Sequence, residues 1–78
     1  MPEPQLVPTR FRLRELLAAL DPPMSQSELA RQSGVSLVTV NAIANNRTTR
    51  VDLETLDALC RVLKVQPGEL LERARRGR

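Results

Sequence analysis

Aromatic, imidazole and thiol side chains are almost missing from this chain of 78 residues. It has one aromatic residue, Phe11, one cysteine, Cys60, and no histidine, tryptophan or tyrosine. The lack of aromatic residues argues against a single-stranded nucleic-acid platform, because such platforms stack bases on aromatic rings. Without histidine or a second cysteine there is no basis for a zinc site, a Cys–His or Ser–His catalytic pair, or a disulfide framework. The sequence therefore predicts a protein that is not an enzyme and has no cofactor.

Long apolar runs are missing as well. No stretch approaches the ~20 residues that a membrane-spanning helix needs, so we expect no membrane partner. A single cysteine is consistent with the reducing cytoplasm, where we expect the protein to be located. The content of 41% hydrophobic and 27% charged residues is that of a globular chain, and the length suits one small domain.

Charge is distributed unevenly along the chain, whose net charge is +3. Residues 24–50 carry +2, residues 51–72 carry −3 and residues 73–78 carry +4. We predict a flexible, proline-containing segment at residues 1–8, a folded domain over residues 9–72 and a basic tail over residues 73–78. The tail is either a solvated chain end or an arm that attracts phosphate.

The first helix is predicted from four leucines at helical spacing, and it should cover about residues 12–20. Asp21-Pro22-Pro23 should end it, because a residue before proline avoids the helical conformation. Residues 9–13 alternate apolar side chains with arginines and leave two interpretations open. They form either the first helical turn or a short extended edge.

Two more helices are predicted over residues 26–33 and 36–45, with a tight turn between them. Ser25-Gln26-Ser27-Glu28 matches a capping box at the start of the first, and Gly34 ends it in a left-handed conformation. The β-branched stretch that follows could also form a strand. Helical spacing of Val40 and Ile43, with Ser36 as a cap, favours a helix.

The C-terminal part predicts two helices, and the whole chain predicts an all-α, compact bundle of four to five short helices. Asp52 should cap the fourth helix. Pro67 should open a short fifth helix that carries Leu70 and Leu71. The fourth helix should place one apolar stripe in the core: Leu53, Leu56, Leu59, Cys60 and Leu63.

Residues 26–45 resemble the helix-turn-helix of the Cro and lambda-repressor-like (XRE-type) family. In that family a glutamine begins the first helix, an alanine and a glycine follow at intervals of four, and apolar residues lie six and nine beyond the glycine. The matching residues here are Gln26, Ala30, Gly34, Val40 and Ile43. The resemblance implies a lambda-repressor-like fold and a small transcriptional regulator that binds double-stranded DNA sequence-specifically. Helix 36–45 would enter the major groove, which accommodates one α-helix.

The resemblance also implies which side chains contact DNA. Base contacts are expected from the start of the second helix and from one to two turns later: Ser36, Leu37, Val38, Thr39, Asn41 and Asn45. An exposed Leu37-Val38 pair would suit thymine methyl groups, although the pair could instead be partly buried. Asparagine pairs well with adenine, and the helix has no long cationic side chain for guanine.

Phosphate contacts are expected at the start of the first motif helix and in the loop after the second: Gln26, Arg47, Thr48, Thr49 and Arg50. Helix N-termini attract anions, and the planar guanidinium matches phosphate. The alternative for Arg47 is an ion pair with Asp52 or Glu54.

A homodimer is expected, because one such module buries little DNA surface. Its subunits could meet through helix 67–71 with its exposed leucine, or through strand pairing of Val7–Leu13 with its twin. The alternative function is that of an antitoxin-like or adaptor protein acting mainly through protein–protein contacts. Its contact surface would be the acidic region 52–72 and the Leu37-Val38 pair.

Overall fold

The structure is a computed structural model that describes residues 9–73, so predictions for residues 1–8 and 74–78 lie outside the described residues. Within residues 9–73 the predicted small helical bundle is confirmed, with five helices and two short strands. None of these helices has the length and apolarity needed to cross a bilayer. The elements are, in chain order, β1 (Thr9–Phe11), α1 (Leu13–Ala19), α2 (Gln26–Ser33), α3 (Leu37–Ala44), α4 (Leu53–Leu63), α5 (Pro67–Leu70) and β2 (Leu71–Arg73).

The two strands pair antiparallel and join the two ends of the described chain. Phe11 lies opposite Leu71 and Thr9 lies opposite Arg73. Of the two interpretations of residues 9–13, the extended edge is therefore correct for 9–11, and the helix begins at Leu13. β1 takes β2 of the same chain as its partner, and the expected pairing of Val7–Leu13 with a second copy stays a prediction.

The core is formed by one face of each helix together with Phe11. The helical interpretation of the β-branched stretch is confirmed, because Val40 and Ile43 of α3 are fully buried. Packing in the core thus outweighs the weak strand preference of valine. The buried residues are Phe11, Leu13, Leu17, Leu29, Val40, Ile43, Ala44, Leu59, Cys60, Leu63 and Leu70.

Two predictions about leucines are wrong. Leu53 is 79% exposed rather than part of the buried stripe, because it lies in the first turn of α4, beyond the core. Leu70 is fully buried, and Leu71 leaves the helix to begin β2, where it is half-buried. Helix α5 therefore does not present the exposed leucine that was expected to form a dimer surface.

The predicted helix caps are confirmed by hydrogen bonds that satisfy free backbone N–H groups. Ser25, Ser36 and Asp52 each accept a bond from the residue three positions later. Hydrogen bonds from Thr55 hold the pKa of the Asp52 carboxyl below its ordinary value. Only the serine half of the predicted capping box is formed, because the carboxylate of Glu28 pairs with Arg31 and accepts from Gln32; these contacts lower its pKa.

Gly34 makes the turn between α2 and α3 with a φ of 78°, in the left-handed region that glycine adopts without steric cost. Its N–H donates to the carbonyl of Ala30, which closes the end of α2. This turn sets α3 against α2 while leaving the opposite face of α3 uncovered.

Candidate nucleic-acid interface

The uncovered face of α3 begins with two apolar side chains. Leu37 is 46% exposed and Val38 is 80% exposed, so the pair lies on the surface rather than in the core. Beside it, the Ser36 hydroxyl donates to Thr39 Oγ1 at 2.9 Å and accepts from the Thr39 N–H. No residue of α3 is ionisable. The start of the helix is therefore a surface of methyl groups and short hydroxyls.

Further along α3, amide side chains form a hydrogen-bonded chain. Asn41 Nδ2 donates to Gln26 Oε1 at 2.9 Å, which links α3 to the first residue of α2. Asn45 Nδ2 lies 3.0 Å from the Asn41 carbonyl oxygen and 3.1 Å from Asn41 Oδ1. The structure thus brings together a residue predicted to contact phosphate and two predicted to contact bases.

An arginine lies at each end of this amide chain. Arg47 Nη2 donates to Asn41 Oδ1 at 2.8 Å, and the Arg14 guanidinium donates to Asn45 Oδ1. A guanidinium group can only donate hydrogen bonds, so the amide atom that faces it must be the oxygen. The two arginines therefore fix the orientation of both asparagine amides.

Arg14 was not among the residues predicted from the sequence. It lies on α1, outside the helix-turn-helix, and is exposed next to the buried Leu13 and Leu17. The leucine spacing of α1 does predict a solvent-facing arginine at this position. It gives no indication that α1 lies beside the end of α3, which is a matter of tertiary packing.

The loop after α3 is fixed by its own side chains. Thr48 Oγ1 donates to the Arg50 carbonyl at 2.8 Å and accepts from the Arg50 N–H at 3.2 Å. Arg50 and Val38 line the same groove of about 330 Å³ between α3 and the loop. Thr49 is exposed. The structure therefore places Arg50 beside the start of α3, whereas Arg47 contacts Asn41 further along it.

Two carboxylates lie near α3, because Asp52 lines the groove with Val38 and Arg50, and Glu15 lies in the same surface depression as Arg14 and Asn45. Among residues 9–73, ion pairs link Arg10 and Arg12 to Glu72, Arg10 also to Glu15, Arg31 to Glu28, and Arg61 to Asp57. In this described part, Arg14, Arg47 and Arg50 form no such pair, so the predicted alternative of an Arg47 pair with Asp52 or Glu54 is not seen. These arginines are therefore free of ion pairs among the described residues, which favours contact with an anion at the candidate interface.

Asn46 fastens the end of α3 to the sheet. Its amide accepts from the Phe11 N–H at 2.7 Å and donates to the Phe11 carbonyl at 3.1 Å. It adopts a left-handed backbone with a φ of 55°, which asparagine tolerates better than most residues. This contact occupies the edge of β1 at Phe11. The Asn45-Asn46 pair was predicted to end the helix, but its contact with a residue 35 positions away was not predicted.

Comparison with known proteins agrees with this architecture. Residues 12–74 match the family of Cro/C1-type HTH DNA-binding domains. The chain belongs to this family. It is also similar to a Bacillus subtilis protein described as an uncharacterised HTH-type transcriptional regulator, YozG, with 35% identity over 49 residues. That match covers 63% of this chain and 58% of the relative, so the chain spans less than two thirds of its length. No solved structure matches.

In this Cro/C1-type domain, α2 and α3 are the two helices of the helix-turn-helix. The resemblance seen at Gln26, Ala30, Gly34, Val40 and Ile43 is confirmed, and DNA binding is the general function of the family. The family is not one of enzymes. No three metal-ligating side chains lie together within residues 9–73.

Proposed function

We propose that the protein is a small transcriptional regulator that recognises specific double-stranded DNA sequences with α3 in the major groove. The observation that carries this proposal is the combination of an uncharged, uncovered face on α3 with two neighbouring arginines, Arg47 and Arg50, that form no ion pair among the described residues. The major groove is about 12 Å wide and admits one α-helix, and the flanking phosphates require cations beside it.

The proposed phosphate contacts come from the start of α2 and from the loop after α3. Gln26 is the first residue of α2, next to the free N–H groups of the helix start, and the first-turn carboxylate of Glu28 is paired with Arg31. Arg47, Thr48, Thr49 and Arg50 lie on the loop, and the internal bonds of Thr48 hold that loop in one shape. A pre-shaped loop loses less conformational entropy when it binds phosphate.

The proposed base contacts come from Ser36, Leu37, Val38, Thr39, Asn41 and Asn45. Leu37 and Val38 expose aliphatic groups that suit thymine methyl groups, which lie in the major groove. Asn41 or Asn45 would pair with adenine through an amide oxygen and an amide N–H. Because α3 offers no arginine or lysine for guanine, we expect a preference for A·T-containing sites.

A salt titration tests DNA binding. Affinity for a random-sequence duplex should fall steeply as salt rises, because each neutralised phosphate releases counterions. Arg47→Ala should lower the slope of log K against log salt by roughly 0.9. Arg61→Ala is the matched control, because Arg61 is paired with Asp57 on α4, and its slope should stay that of the natural sequence.

The adaptor alternative gives a different result in the same titration. A shallow slope that Arg47→Ala leaves unchanged would contradict DNA binding as the main activity. The exposed apolar residues Leu37, Val38 and Leu53 would then be the contacts to a protein partner. This alternative rests on their exposure alone, whereas the unpaired arginines favour DNA.

The proposal includes a homodimer in the cytoplasm, nucleoid-associated when bound to DNA and acting as a repressor. Two modules related by symmetry read half-sites about one helical turn apart and bury more DNA than one module does. Selecting bound fragments from a random duplex pool identifies the preferred site. An inverted repeat in that site supports the homodimer, and a single half-site contradicts it.

A further inference from the structure

We propose that the side chains of the hydrogen-bonded amide chain have different roles. Asn41 contacts adenine, whereas Asn45 and Arg14 are positioning residues that hold the Asn41 amide. Arg47 releases Asn41 for this contact when it moves to a phosphate. The inference rests on the proposed function. It comes from counting which donors and acceptors of the two asparagines are already used in the protein without DNA.

Asn45 has no N–H group to offer to a base. A primary amide has two N–H donors and one oxygen with two lone pairs. The two donors of Asn45 have two acceptors within reach, the carbonyl oxygen and Oδ1 of Asn41, at 3.0 and 3.1 Å. Its oxygen accepts from Arg14. Pairing with adenine requires an N–H directed at N7, so Asn45 could read a base only by giving up a contact to Asn41.

Asn41 is closer to the state that adenine requires. Its Nδ2 donates one N–H to Gln26 Oε1 at 2.9 Å and keeps the second. Its Oδ1 accepts from Asn45 and from Arg47. Once Arg47 moves to a phosphate, Asn41 has one free N–H and one free lone pair, which are the groups that pair with N7 and N6 of adenine.

The location of the two contacts decides which lone pair becomes free. The hydrogen bond between Arg47 and Asn41 is exposed to solvent, whereas the hydrogen bond between Asn45 and Asn41 is partly buried. Arg47 therefore blocks the solvent-facing side of the amide, where a base would approach. Binding of the backbone by Arg47 and reading of the base by Asn41 are in this way coupled.

Arg14, which lies outside the helix-turn-helix, determines the orientation of the hydrogen-bonded side-chain amides of Asn45 and Asn41. Its guanidinium requires an oxygen from Asn45, so the Asn45 nitrogen points at Asn41 and Asn41 must present its oxygen in return. Without Arg14, the Asn45 amide can turn over, and once Arg47 has moved to a phosphate no cationic donor defines the orientation of Asn41. Arg14 is thus a specificity-determining residue that need not touch DNA.

The test measures base preference and overall affinity separately. Starting from the site selected by the natural protein, each adenine is replaced in turn and affinities are compared for the full-length variants. Asn41→Ala should abolish the preference at one adenine, which for a bidentate contact is worth roughly 5- to 150-fold, and should leave random-duplex affinity nearly unchanged. Arg14→Leu should reduce the preference at the same adenine several-fold with an unchanged salt slope.

Two variants serve as controls. Arg14→Lys should restore most of the lost preference, because lysine also offers only donors. Arg31→Leu removes an exposed arginine that is paired with Glu28 on α2, and it should have no effect on the preference. Arg47→Ala should weaken binding on every sequence alike and keep the adenine preference.

Several outcomes would overturn the inference. One is an Arg14→Leu variant that weakens binding to all duplexes alike and lowers the salt slope by roughly 0.9, as a phosphate contact would. Another is an Asn45→Ala variant that loses preference at a position that Asn41→Ala leaves intact. The inference also fails if Asn41→Ala changes the preference at no adenine of the selected site.

A measurement without DNA separates this inference from the proposed function. In a ¹⁵N–¹H spectrum of the free protein, Arg14→Leu should shift the side-chain amide signals of Asn45 and Asn41, whereas Arg31→Leu should not. Unchanged signals would refute the hydrogen-bonded chain even in a protein that binds DNA. A protein with these shifts but without salt-dependent duplex binding would instead refute the proposed function.

Discussion

Helices α3 and α4 are built on the same plan and differ in charge. Each begins with a side-chain cap, buries one face and exposes a large apolar side chain in its first turn. Val38 on α3 is 80% exposed and Leu53 on α4 is 79% exposed. The sequence of α4 contains Glu54, Asp57 and Arg61, whereas that of α3 contains no ionisable residue.

This difference in charge favours Val38 over Leu53 as the proposed contact with DNA. At the start of α4, Asp52 and Glu54 place negative charge at the positive end of the helix dipole. The same carboxylates would repel a phosphate backbone. Helix α3 has the neutral cap Ser36 and no acidic residue in its first turn, so its positive end stays available to an anion. Exposure alone does not distinguish the two helices, but the start of α4 carries its own carboxylates and the start of α3 carries none.

The largest expected effect comes from giving α3 the negative charge that α4 already has. Val38→Glu should weaken duplex binding by roughly 100-fold or more, because a like charge against the partner costs several kcal/mol. Leu53→Glu introduces the same charge at an equally exposed first-turn position and should change affinity by less than about threefold if α4 lies away from the DNA. Titration of a labelled duplex with each variant measures both.

Folding does not explain the expected difference. A glutamate in the first turn of a helix interacts favourably with the helix dipole. The free energy of unfolding of both variants should therefore stay within about 0.5 kcal/mol of that of the natural protein. Equal losses of binding in the two variants would mean that the charge acts at long range or that α4 also faces the DNA. The assignment of α3 as the reading helix would then fail.

Local signals account for what could be predicted from the sequence. The bounds of α2, the turn at Gly34 and the caps at Ser25, Ser36 and Asp52 depend on residues within four positions of each other. Helix α3 could be predicted despite its valines because Val40 and Ile43 share one helical face. The candidate site residues on α3 followed from the family resemblance rather than from spacing.

Contacts between distant residues account for what could not be predicted. The pairing of β1 with β2 joins Arg10 to Glu72, and no local pattern specifies a partner so far along the chain. The same holds for the bond between Arg14 and Asn45 and for that between Asn46 and Phe11. Leu53 fits the apolar stripe of α4, but its place in the first turn puts it beyond the core.

An effect of intermediate size, on the free energy of unfolding, is expected from substitutions at the C-terminal ends of α3 and α4. Asn46 follows α3 with a φ of 55°, and Lys64 follows α4 with a φ of 60°. Asn46→Gly removes the steric cost of the left-handed backbone but loses both hydrogen bonds to Phe11, which contribute about 1 kcal/mol each. It should therefore lower the free energy of unfolding by about 1–2 kcal/mol. Lys64→Gly relieves the left-handed cost of about 1–2 kcal/mol and should raise stability by about 0.5–1 kcal/mol.

Urea denaturation of both variants measures this contrast. The opposite signs are the informative result, because the same substitution is made at the same backbone conformation. If both variants are stabilised, the Asn46 amide contributes nothing and α3 is not fastened to the sheet. If both are destabilised, the left-handed conformation of Lys64 carries no cost in the folded chain.

The smallest expected effect is a pH dependence that separates the two N-terminal caps. Hydrogen bonds from Thr55 lower the pKa of Asp52 in the folded chain below its ordinary 3.8. A carboxyl whose pKa is lower when folded stabilises the protein above its unfolded pKa, and this stabilisation is lost as pH falls through the folded pKa. Asp52→Asn keeps a capping oxygen that does not titrate. It should therefore lose less stability than the natural protein between about pH 5 and pH 2.

Ser36 supplies the neutral counterpart at the start of α3. Ser36→Ala should lower the free energy of unfolding by about 1 kcal/mol, and by the same amount at each pH, because a hydroxyl cap does not titrate in this range. Urea denaturation of the natural protein and both variants across the acid range makes the comparison. If the natural protein and Asp52→Asn lose stability in parallel on acidification, Asp52 is not held as a charged cap. The contrast between an anionic start to α4 and a neutral start to α3 would then no longer support the proposal that DNA is contacted by α3 and not by α4.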